Sequence, residues 1–123
     1  MFIRVSALAI GAGLALAMVQ PAFAESDAHI RNDLRELRQD RAAVAADEAR
    51  LAHERSELAK ARARERDDLQ HGRIGAAVRD YKEVRHEARD VTAAQNKLAA
   101  DRAKLAAQRA DVREDLEHRR HHD

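Results

Sequence analysis

Aliphatic side chains recur at every seventh position over two long stretches: Ile30, Leu37, Val44, Leu51 and Leu58, then Val84, Val91, Leu98, Leu105 and Val112. A strict seven-residue repeat holds one apolar seam on one side of a helix and turns it toward a partner helix. The interval from Leu58 to Val84 is not a whole number of heptads, so the seam jumps phase across His71-Gly72-Arg73-Ile74-Gly75. Glycine costs about 1 kcal/mol inside a helix and is favoured just past a helix end. One continuous rod would lose its apolar face here, whereas two helices joined by a turn keep it. The expected fold is all-α: an antiparallel helical hairpin, or coiled coil, of two long helices. The first spans 25–71, a glycine-containing turn follows at 72–75, and the second spans 76–123 with a polar, His-rich tail. Ser26 or Asp27 is the expected first N-cap.

Folding the chain back near residue 73 sets opposite one another residues whose numbers sum to about 146. The aliphatic series then faces a second one: Leu34, Arg41, Glu48, Arg55 and Arg62, and on the other helix Tyr81, Ala88, Gln95, Arg102 and Arg109. Half of each seam is polar, and the long side chains are expected to cover the aliphatic ones with their stems. Leu51, Leu58, Val91, Leu98 and Leu105 are therefore expected to be loosely held and to form a binding seam open to other chains. Ala45, Ala52, Ala59, Ala99 and Ala106 flank the seam and would let a second hairpin, as in a homodimer, or a client peptide approach closely. Val44–Leu58 and Leu98–Val112 agree at seven of fifteen aligned positions, so the two stretches ask for the same structure.

The first 24 residues read as a signal peptide. Arg4 supplies a positive charge, Val5–Val19 is an apolar or small run broken only by Ser6, and Ala22-Phe23-Ala24 is an A-x-A cleavage site. The run is shorter than the roughly 20 residues a membrane span needs. The expected address is the periplasm or beyond, with no membrane span after cleavage. The absence of cysteine suits an oxidising compartment.

Charge and composition exclude much else. Charged residues make up 37% of the chain and aromatics 2%, too little bulk for the thick core and pocket an enzyme needs to tune catalytic groups. Removal of the leader takes Arg4 and leaves 22 bases against 22 acids. Interleaved acids and the missing aromatic platform argue against nucleic acid. Pairs such as Arg50–Glu54, Arg79–Glu83 and Arg113–Glu117 read instead as solvated helix faces. His118, His121 and His122, beside Asp123, are the expected metal ligands, since residues three and four apart share one side of a helix and imidazole suits Zn or Ni. A hairpin would bring His29 and Asp27 to the same end. No resident cofactor is expected beyond such weak Zn or Ni binding.

Val91-Thr92-Ala93-Ala94-Gln95 resembles the LTxxQ signature of the Spy-like periplasmic stress proteins, with valine in place of leucine. The resemblance implies a small exported helical protein acting as an ATP-independent chaperone or metal-stress sensor. The leading expectation is an exported, non-enzymatic helical protein that binds unfolded or envelope polypeptides in a stress or chaperone-like role. The alternatives are a structural envelope coiled coil and a low-affinity periplasmic metal buffer.

Overall fold

The computed structural model describes residues 6–122, with side chains described from Asp27 onward. Met1–Val5, the start of the expected leader, and Asp123, a member of the expected C-terminal metal cluster, lie outside the described residues. Two helices, α1 (Ser6–Gln70) and α2 (Ile74–His122), pack against each other as a hairpin. At 1.5 Å per residue they are roughly 98 and 74 Å long.

The reversal rests on Gly72, whose φ of 72° is a left-handed geometry that only glycine adopts without strain. The Arg73 N–H donates to the Asp68 carbonyl at 2.8 Å and the Gly72 N–H to that of Leu69 at 3.2 Å, the two bonds that close a helix at a glycine. Arg73 then folds its side chain back over the same turn, with Nε on Asp68 at 2.6 Å and Nη2 on Asp67 at 2.8 Å. The turn is tighter than the expected 72–75: it comprises His71–Arg73, and Gly75 lies within the first turn of α2. So short a connection sends α2 straight back along α1. At the other end, α1 runs unbroken through Glu25–Asp27. Ser26 and Asp27 are thus interior to the helix of the whole chain, and Asp27 accepts an ion pair from Arg119 at 3.1 Å.

Cross-helix ion pairs fix the register. Arg64 meets Glu83 at 2.7 Å, Arg102 meets Glu48 at 3.1 Å, Lys97 meets Asp47 at 2.9 Å and Lys104 meets Asp40 at 3.4 Å. Each lies within about one helical turn of the expected pairing.

The rotation of the helices differs from expectation. Arg41, Glu48, Arg55, Arg62, Gln95, Arg102 and Arg109, the expected polar half of the seam, are all exposed. Their place is taken by the heptad position three residues after the aliphatic one, together with Ala77, which continues the aliphatic series of α2 one heptad before Val84. On α1 these are Asp33, Asp40, Asp47 and Ala61, buried, with Glu54 and Asp68 half-buried. On α2 they are Ala77 and Ala94, buried, with Asp80, Glu87, Asp101, Gln108 and Asp115 half-buried. The seam is half polar, as expected, but its polar half is acidic. Short Asp and Ala side chains let two helices approach closely. A buried Arg would lose up to about 2 kcal/mol of rotamer freedom, while an exposed one keeps it.

Candidate functional site

The expected binding seam is inside the hairpin. Leu51, Val91 and Leu98 form the central apolar cluster with Ala94, Val44 and Leu58 pack against it, and Leu105 is buried further along. Of the five seam residues four are buried and Leu58 is half-buried. Any binding through them requires the helices to separate. The loosely held seam expected from the sequence is thus closed by the rotation of the helices: a narrow acid and alanine flank covers aliphatics that bulky arginines would have left ajar. Ala45, Ala52, Ala59, Ala99 and Ala106 are all exposed, on the open flank of the hairpin.

Two apolar areas do face solvent. Leu69, Ile74, Val78 and Tyr81 surround the turn, each more than half exposed, with the Arg85 guanidinium 5.9 Å from the Tyr81 ring centre. Toward the other end, a groove of about 340 Å³ is lined by Leu37, Val112 and Leu116, by Arg41, Arg109, Arg113 and Arg120, and by Glu117. Its floor is aliphatic and its rim carries four arginines against one glutamate. Here the arginine stems do border the aliphatic residues, as the sequence leads one to expect.

The acidic flank is the feature that sequence reasoning missed. Asp33, Asp40, Asp47, Glu54 and Asp68 recur in sevens or multiples of seven, as do Asp80, Glu87, Asp101 and Asp115. That spacing is as legible as the aliphatic one, but acids are common on solvated helix faces and carry no hydropathy signal. In the hairpin the two rows meet, and Asp33 reaches Asp115, Asp47 reaches Asp101, and Asp68 reaches Asp80. Two ionised carboxylates offer only acceptors to each other, and Asp47 Oδ2 and Asp80 Oδ2 are buried without a hydrogen-bond partner. At Asp68 and Asp80 the contact acts in opposite directions on its two members, since a hydrogen bond to the charged form favours it and one to the neutral form disfavours it. Its contact with Asp68 pushes Asp80 up, while the same contact, followed by Arg73, pulls Asp68 down. Asp101 is lowered by Asp47 and then by Lys97. Burial comes first in raising Asp33, with Asp115 second, and burial likewise raises Glu87, reinforced by Asp90 and Glu54.

Each carboxylate pair holds a base. Lys97 sits 2.9 Å from both Asp47 and Asp101, and Arg73 grips Asp68. At the open end the base is His29, whose Nε2 lies 3.4 Å from Asp33 and 3.3 Å from Asp115. These three offer ligand atoms within 4.8 Å of one another, as do Glu54, Glu87 and Asp90. Among the described residues, His118, His121 and His122 form no such group; all three are exposed, and His118 Nδ1 contacts the Glu114 carbonyl of its own helix at 3.0 Å. Of the expected metal elements among the described residues, His29 meets one carboxylate on its own helix, Asp33, and one across the hairpin, Asp115.

In the stretch resembling the LTxxQ signature, Val91 and Ala94 face the core while Thr92 and Gln95 are exposed. The Thr92 hydroxyl donates to the Ala88 carbonyl at 3.1 Å, in the middle of α2. No protein-family model, no curated protein and no solved structure matches the chain. Among the described residues, no helix is long and apolar enough to cross a membrane.

Proposed function

We propose that this is an exported, non-enzymatic helical hairpin that binds other polypeptides of the cell envelope in a chaperone-like role. Export rests on the leader-like segment that precedes the paired region, and the Spy-like resemblance in α2 agrees with it. The observation that carries polypeptide binding is the arginine-rimmed groove over Leu37, Val112 and Leu116. An aliphatic floor takes apolar side chains of a client, and Arg41, Arg109, Arg113 and Arg120 take its carboxylates, with no energy source beyond mass action. The preferred segment is therefore amphipathic and acidic. Binding is shallow and unselective, because ordering an unfolded client costs free energy.

The test uses the chain from Glu25 onward with a reduced, aggregating client, followed by light scattering. Suppression should rise with concentration. Arg109→Glu combined with Leu116→Asp should reduce it severalfold at unchanged helix content, since Arg109 is exposed and Leu116 is 41% exposed. Absence of suppression at severalfold excess, with the helix verified by circular dichroism, removes this reading and leaves a structural envelope coiled coil.

A further inference from the structure

We propose that His29, Asp33 and Asp115 form a binding site for a divalent cation of the zinc class, clasping the open end of the hairpin. The site differs in place and ligands from the C-terminal histidines and is independent of the polypeptide groove. Its first support is charge. The three places where aspartates meet across the helices differ in their bases: Lys97 and Arg73 carry permanent charge, whereas among the described residues the base paired with both Asp33 and Asp115 is His29. Asp33 is only 8% exposed, so water does little to offset its repulsion from Asp115. The cleft around the three is lined further by Glu36, Asp111, Glu114 and Gln108, which deepens the negative potential.

The second support is geometry. Two ligands held about 2.0–2.1 Å from zinc at the tetrahedral angle lie roughly 3.3–3.4 Å apart. The His29 Nε2 to Asp33 Oδ2 and Asp115 Oδ2 separations are 3.4 and 3.3 Å. One imidazole nitrogen and two carboxylate oxygens suit a borderline first-row cation better than Ca or Mg, and water would complete the coordination. Asp33 and Asp115 come from different helices, so the ion is held only in the folded hairpin. Binding is thereby linked to folding.

The experiment is thermal unfolding of the purified protein, followed by circular dichroism, with ZnCl₂, MgCl₂ or CaCl₂ added. Zinc at a hundredfold above its Kd should shift the unfolding equilibrium about a hundredfold toward the hairpin; magnesium and calcium should not. His29→Ala, which changes a largely exposed side chain, should fold as before and lose the zinc response, and Asp33→Asn should lose it too. A triple change of His118, His121 and His122 to Ala should keep it. Isothermal calorimetry should find one strong site in the triple variant and none in His29→Ala. An undiminished zinc response in His29→Ala, loss of the response in the triple variant, or an equal response to calcium would overturn the site.

Discussion

Truncating Leu98 to alanine tests whether the central cluster holds the hairpin together. Leu98 is 5% exposed and meets Leu51, Val91 and Ala94. Buried Leu→Ala changes cost about 2–5 kcal/mol, the spread reflecting how far the site can collapse. Two helices have no third layer behind the core, and the neighbouring aliphatics can close in from the flanks. The lower part of that range, about 2–3 kcal/mol, is expected here. For a folded unit of this size, each kcal/mol moves the melting temperature by about 4–8 °C, so Leu98→Ala should melt about 10–20 °C lower by circular dichroism. Leu69→Ala is the control: it removes the same atoms at a position 52% exposed, and surface changes stay within about 0.5 kcal/mol. Equal shifts for the two variants would refute the burial argument and with it the assignment of the interior face.

Cysteines in place of Leu34 and Val112 should oxidise to an intramolecular disulfide in dilute protein; intermolecular dimers alone would indicate a swapped or extended assembly. Glu87→Gln should raise the melting temperature at neutral pH. The folded-state pKa of Glu87 lies above the ordinary 4.5 because of burial, so the folded hairpin binds this proton more tightly than the unfolded chain. Its ionisation therefore costs stability above the raised value and costs nothing below about 4.5. The advantage of Glu87→Gln should accordingly shrink as pH falls through that window, and a pH-independent difference would contradict the stated cause. Gly72→Ala should destabilise the turn by about 1 kcal/mol or more, since a Cβ is strained at that φ although nothing crowds it.

The heptads of Ile30 to Leu58 and of Val84 to Val112 determined two helices, and the phase jump at Gly72 determined that the chain turns there. Loop length and helix lengths then left only antiparallel pairing, so even the register was legible. These are local and one-dimensional properties: a period, a break in it, and a residue that tolerates positive φ. The rotation of each helix about its axis was not legible in that way. An aliphatic stripe one residue wide in every seven can be completed on either side, by the Arg41 and Arg102 series or by the Asp47 and Asp101 series. Only packing against the partner chose between them, by favouring short side chains at the closest approach. That choice buried Leu51, Val91, Leu98 and Leu105, turned the arginines out to rim a groove over Leu37, Val112 and Leu116, and brought together two rows of carboxylates. The same choice decided the cation site: His29 and Asp115 are 86 residues apart in sequence, and the meeting of their side chains depends on an angle that no residue of either helix specifies alone.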